Sequence, residues 1–177
     1  MTTMIAMLRG VNVGGNCKVK MDELRAVCEG MGLRDVRTYI QSGNIVFRSK
    51  AADVGSRLEK EIERVFGVRT FVVLRTAAEM RAVTERNPLP DVDPRKLLVS
   101  FLLATPAAAA VEAVERMAIS PEELHIIGSE MYIHFPLGQG VSKLPMAKIE
   151  RTLGTSGTGR NWNTVMALLA MAMAEES

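Results

Sequence analysis

The chain has 177 residues, 47% of them hydrophobic and 24% charged, with a net charge of +2 at neutral pH. That composition suits one large folded domain or two small ones and argues against a disordered chain. So small a net charge does not by itself point to nucleic acid, and two cysteines, Cys17 and Cys28, are too few for a disulfide framework.

Both thiols are expected free, in a reducing cytoplasm, and neither has metal-ligand partners at useful spacing, so no metal and no cofactor are expected. The charge is unevenly spread. Residues 1–75 hold thirteen Lys/Arg against eight Asp/Glu, and the remainder nine against twelve. A basic first half is compatible with phosphate-bearing partners, although surface charges scattered for solubility are the commoner meaning of such a bias. The start of the chain lacks the basic segment of a signal peptide and reads as a strand. The most apolar stretch, 97–111, is broken by Ser100, Thr105 and Pro106. It falls short of the roughly 20 residues that cross a bilayer, so no membrane partner is expected.

In chain order, residues 4–8 predict a strand that runs into a glycine-rich loop. A helix over 21–31 follows, its buried stripe made by Leu24, Val27, Cys28 and Met31 at i, i+3, i+4, i+7, with Gly32 just beyond its end. Residues 36–47 predict a hairpin turning at Ser42-Gly43. In that register Ile40 faces Ile45, and Val36, Ile40, Ile45 and Phe47 share the apolar side. Asp53 heads a second helix carrying Val54, Leu58, Ile62, Val65 and Phe66 on one side; Gly67 ends it, and 70–74 is a fourth strand. The order β-α-β-β-α-β is the split βαβ, or ferredoxin-like, arrangement.

A connecting helix over 77–86 leads to 89–94, where prolines and aspartates mark a boundary between pieces 1–88 and 95–177. A strand over 96–103 and a helix over 107–117 come next. A second hairpin, 123–135, turns at Gly128-Ser129. It has Leu124, Ile126, Met131, Ile133 and Phe135 on one face and Glu123, His125, Tyr132 and His134 on the other. Helices over 143–153 and 161–174 close the chain. The expected fold class is α+β, with two ferredoxin-like units whose antiparallel sheets are backed by helices.

Two glycine-rich polar segments, 9–20 and 154–164, each stand before a helix, where free N–H groups and the helix dipole suit an anion. The first, with Gly10, Gly14 and Gly15, is not a dinucleotide fingerprint. The second has the glycine spacing of a P-loop in Gly154 and Gly159, but Arg160-Asn161 stand where Lys and Ser/Thr belong, which argues against NTP hydrolysis. Trp162 is expected to be buried in packing. The helix over 165–173 is apolar all round, so it is either buried centrally or covered by a second copy in a homodimer. Glu123 opposite His134 offers a His–carboxylate pair, although a solvated sheet face is the commoner meaning of such a pair.

Three stretches together are distinctive: Leu8-Arg9-Gly10-Val11-Asn12-Val13-Gly14-Gly15 with Lys18, Lys20 and Met21; Tyr39-Ile40-Gln41-Ser42-Gly43-Asn44-Ile45-Val46-Phe47; and Ser142-Lys143-Leu144 with Arg160-Asn161-Trp162-Asn163-Thr164-Val165. With Asn87-Pro88 they resemble the bacterial domain-of-unknown-function family 1697 over essentially the whole chain. The resemblance implies a cytosolic bacterial protein of two ferredoxin-like units. It brings no established activity and no catalytic roles. Asn16-Cys17 and Pro88-Leu89 depart slightly from the family's usual forms, at no expected contact group.

The leading functional reading is a binding module for a phosphate-bearing ligand, a nucleotide or single-stranded nucleic acid. Arg9, Lys18, Lys20, Lys143 and Arg160 would hold phosphates. Asn12, Gln41, Asn44, Asn161 and Asn163 would give directional hydrogen bonds, with the Gly14 and Gly15 amides and Ser42 lining the site. An aromatic content of 5% and the lack of an RNP-type strand weaken the RNA version. The alternatives are an enzyme that stabilises an anionic intermediate with the same Asn/Gln/Lys/Arg cluster, and an assembly protein dimerising through its C-terminal helix. No nucleophile or base stands out, so the sequence leaves catalysis open.

Overall fold

The structure, a computed structural model, describes residues 1–13 and 18–177. Among the described residues eight strands and six α-helices follow in order: β1 (Thr2–Leu8), α1 (Met21–Gly30), β2 (Arg34–Thr38), β3 (Asn44–Ser49), α2 (Val54–Phe66), β4 (Val72–Thr76), α3 (Ala77–Glu85), β5 (Leu97–Leu102), α4 (Ala108–Glu115), β6 (Glu123–Ile127), β7 (Glu130–His134), α5 (Met146–Leu153), β8 (Gly157–Asn161) and α6 (Trp162–Ala174). They build an α+β fold with two four-stranded antiparallel sheets, ordered β2-β3-β1-β4 and β6-β7-β5-β8. Each is the split βαβ pattern, in which the first strand of the unit lies inside the sheet and the last at an edge. The chain divides into two compact units, residues 1–82 with 167–177, and residues 83–166. Among the described residues no helix is long and apolar enough to cross a membrane.

In the first unit the helical stripe of α1 and the apolar side of α2 close over one face of the sheet. Leu24, Cys28, Leu58 and Ile62 are fully buried, with Ala6, Leu8, Ile45 and Phe47 beneath them. Burying each such Leu, Ile or Phe contributes about 1.5–3 kcal/mol. Burial also pushes the Cys28 thiol up to about 12, with the neighbouring Glu29 charge adding to the shift, so it stays protonated. Gly67, in the left-handed region, ends α2 as expected. The last turns of α6 belong to this unit. There Arg37 bonds the Met171 carbonyl and pairs with Glu175 at 3.0 Å, cations meeting the negative end of the helix.

The β2–β3 turn differs from the expectation. Thr38, not Ile40, faces Ile45, and the Tyr39 N–H donates to the Asn44 carbonyl at 3.0 Å, so residues 40–43 form the turn. A slip of two residues keeps Val36, Ile45 and Phe47 on the core side but expels Ile40. Ile40 is 51% exposed, at φ 50°. Gly43 sets this geometry. Its φ is 83°, its carbonyl accepts the Leu8 N–H at 2.9 Å, and a Cβ there would lie 2.7 Å from Val11 Cγ2. The end of β1 can rest on the turn only where no side chain stands.

In the second unit, β6–β7 pairs as read from sequence, with Glu123 opposite His134 and His125 opposite Tyr132. Leu124, Met131, Ile133 and Phe135 pack with Ile149, Leu153 and Val114 of α5 and α4. Tyr132 on the other face is fully buried rather than solvated. Its hydroxyl donates to the Val83 carbonyl at 2.6 Å, and burial raises its phenol. Beside it Arg86 pairs with the buried Glu130 carboxylate.

The segment 154–164 is not the anion-cradling loop that its composition suggested. Residues 157–161 are strand β8, completing the second sheet beside β5. A Cβ on Gly157 would lie 2.7 Å from the Phe101 carbonyl oxygen and from Ser100 Oγ, and one on Gly159 would lie 3.0 Å from Leu98 Cδ2. These glycines let β8 press against β5. Trp162, expected to be buried, is half-buried at the start of α6.

Candidate functional site

The described residues of the first glycine-rich segment, 9–13 and 18–20, lie outside any strand or α-helix. The segment leaves β1 at Leu8; the Arg9 N–H bonds the Phe71 carbonyl at 3.1 Å, and Gly10 turns the chain at φ 67° with open space where a side chain would be. Asn12 then staples the loop. Its Nδ2 donates to the Val19 carbonyl at 2.6 Å and to the Gln41 carbonyl at 2.8 Å, while its Oδ1 accepts the Val19 N–H at 3.0 Å. Its φ of 55° is one that Asn tolerates. All three groups of this carboxamide hold the loop and the β2–β3 turn together.

The staple shapes a polar cleft of about 310 Å³. Gly10, Asn12, Val13 and Lys18 form one wall, and Gly67, Val68 and Arg69 form the other. Lys18 and Lys20 are exposed, and among the described residues neither is ion-paired. Arg69 is exposed too, but its guanidinium bonds Glu63 at 2.9 Å. Lys20 directly precedes α1 and makes no side-chain cap, while Asp22 and Glu23 stand in the first turn of the helix. The cleft therefore offers an anion the Lys18 ammonium group, which among the described residues is not ion-paired, with exposed Lys20 two residues further along the chain. Its size is at the lower end of small-molecule sites.

The other expected residues have varied placements. Arg9 is exposed and stacks over the Phe71 ring at 5.2 Å, on the Met7 side of the strand rather than the Leu8 side that meets α1 and α2. Asn44 is fully buried. Its Nδ2 donates to the Tyr39 carbonyl at 3.0 Å and to Ser42 Oγ at 2.9 Å, so both residues close the turn. Gln41 is exposed beside it. Gly14 and Gly15 lie outside the described residues.

In the second unit Lys143, Asn161 and Asn163 are exposed, but Arg160 is buried. Its guanidinium donates to Thr158 Oγ1 and to the Gly159 carbonyl, each at 2.8 Å. Desolvation pushes its pKa down to about 10. It is a strand residue engaged with its own strand. His125 Nε2 lies 3.0 Å from Glu123 Oε1, two residues along one strand, with Glu123 exposed and His125 half-buried; the cross-strand pair with His134 is not the one made. Among the described residues no three His, Cys, Asp or Glu side chains gather as a metal-binding group.

Sequence reasoning missed the second wall. Gly67 reads only as a helix stop, yet the antiparallel β1–β4 pairing brings the start of β4 to the end of β1. The βαββαβ order itself carried that signal. A larger hollow of about 720 Å³ lies between α1 and α2. Its guanidinium groups are already committed, Arg64 to Glu61 at 2.7 Å and Arg57 to the Met31 carbonyl at 3.2 Å.

Two split-βαβ sheets, the first with a cationic loop at the end of its inner strand, define the class of protein. The chain belongs to the family described as protein of unknown function (DUF1697), whose profile matches residues 1–132. It is also similar to the solved structure of the conserved bacterial protein SP0830 from Streptococcus pneumoniae. That likeness runs at 25% identity over 97% of this chain and 98% of that one, with a TM-score of 0.71. No curated protein matches the chain.

Proposed function

We propose that the protein is a binding module for a phosphate-bearing ligand, a nucleotide or single-stranded nucleic acid, taken up at the β1–α1 loop of the first unit. The observation that carries this reading is the cleft that Lys18 lines, with Lys20 close by in sequence and neither ammonium group ion-paired among the described residues. A bacterial cytoplasm as its setting belongs to the same reading, supported by the Streptococcus pneumoniae neighbour and by the buried free thiol of Cys28.

Titration with inorganic tripolyphosphate, ATP and a short RNA tests it. Binding should weaken as salt rises, since the attraction is between exposed charges. Lys18→Gln with Lys20→Gln should weaken binding about tenfold, or ~1.4 kcal/mol, by removing two charge-assisted contacts. The melting temperature should not change, because both side chains are exposed. Binding that ignores salt and both substitutions would discard the reading.

A further inference from the structure

Ile40 is the residue that the fold least explains. It sits at φ 50°, a conformation that a β-branched side chain adopts only under strain, and it is 51% exposed. It therefore contributes little to the core and opposes its own backbone. Val13, 67% exposed, is the other bare aliphatic residue here. The two are linked through their neighbours, because Asn12 Nδ2 bonds the Gln41 carbonyl at 2.8 Å. Two aliphatic tips are thus carried on segments tied to each other; Val13 lines the cleft with Lys18, and Ile40 precedes the Gln41 carbonyl that Asn12 holds. Neither residues 9–20 nor residues 36–52 contain an Asp or Glu.

Resting on the phosphate-binding reading above, we infer that the ligand carries a flat apolar body as well as its phosphates, and that Val13 and Ile40 receive that body while Lys18 and Lys20 meet the charge. A nucleotide has this chemistry and inorganic polyphosphate does not. Aliphatic side chains cover the face of a base without the aromatic residues that this chain mostly lacks. The strain at Ile40 is then retained for a contact outside the protein.

The test compares ATP with inorganic tripolyphosphate on the full chain and on the Ile40→Gly and Val13→Ser variants. ATP should bind about fivefold tighter than tripolyphosphate, the difference that burying part of an apolar ring gives. Both variants should lose that preference, and Ile40→Gly, at a residue outside the cleft lining, should hold tripolyphosphate as the parent does. Ile40→Gly should also melt no lower than the parent, since glycine adopts this φ freely, which separates lost contact from lost fold. Equal affinity of the parent for the two ligands would overturn this inference and leave the phosphate site standing. So would an ATP preference that survives both variants. Binding of neither ligand would overturn both.

Discussion

The two glycine-rich segments look alike as text and are opposites as structure. Around Gly10 the chain is open, and a side chain there would meet nothing within 4 Å. Around Gly157 it is shut, and a side chain would strike the neighbouring strand at 2.7 Å. The first glycine serves a backbone angle and leaves main chain in view of solvent. The second serves close approach between strands and leaves nothing in view. Glycine content alone cannot tell a cradle from a seam; what distinguishes them is whether a neighbouring strand occupies the missing side chain's space.

Substitution should separate the two sharply. Gly157→Ala forces β8 away from Phe101 and Ser100 and should destabilise the fold by about 2–3 kcal/mol, the cost of overpacking a tight contact. Chemical denaturation measures it, and a loss below about 0.5 kcal/mol would mean that β8 adjusts freely.

A second effect lies in the helix that follows the open segment. The Cys28 pKa is raised to about 12 in the folded chain from an ordinary value of 9.0, so above pH 9 the unfolded state loses a proton that the folded state keeps. Stability must then fall as pH rises from 9 toward 12. At pH 10 the advantage of the parent over Cys28→Ala should be about 1.4 kcal/mol smaller than at pH 7. An unchanged difference would mean that the thiol reaches water when folded.

The smallest effect belongs to the open loop. Gly10→Ala meets no atom and should cost only about 1 kcal/mol for its left-handed angle. A loss as large as that of Gly157→Ala would erase the contrast between the segments.

Much of the fold was legible because periodicity and turn residues agreed. The helical stripe of α1, the glycine at the end of α2 and the β6–β7 register all follow from local pattern. Strand β8 was hidden because Gly157, Thr158, Gly159, Arg160 and Asn161 have neither apolar alternation nor, Thr158 apart, β-branched residues. It is held by its place beside β5, a non-local cause. The β2–β3 turn slipped for a related reason, since Gly43 answers to the end of β1 rather than to a two-residue hairpin. At the candidate site the lysines were legible as exposed cations. The commitments of Asn12, Asn44 and Arg160 were not, because a polar side chain bonded to its own backbone has the same letters as one that awaits a ligand.

The strand order carries a consequence for synthesis. In each unit the strand made first lies inside the sheet, and the strand made last supplies one of its flanks. At about 5–20 residues per second, a ribosome needs roughly 3–13 s to pass from Leu8 of β1 to Val72 of β4. During those seconds a strand bearing Ile5, Met7 and Leu8 has one row of backbone groups without its partner. The same delay recurs between β5 and β8. A nascent chain of this protein thus keeps that row open to wrong pairing until each closing strand emerges, and slowing translation ahead of residues 72 or 157 should lengthen that window.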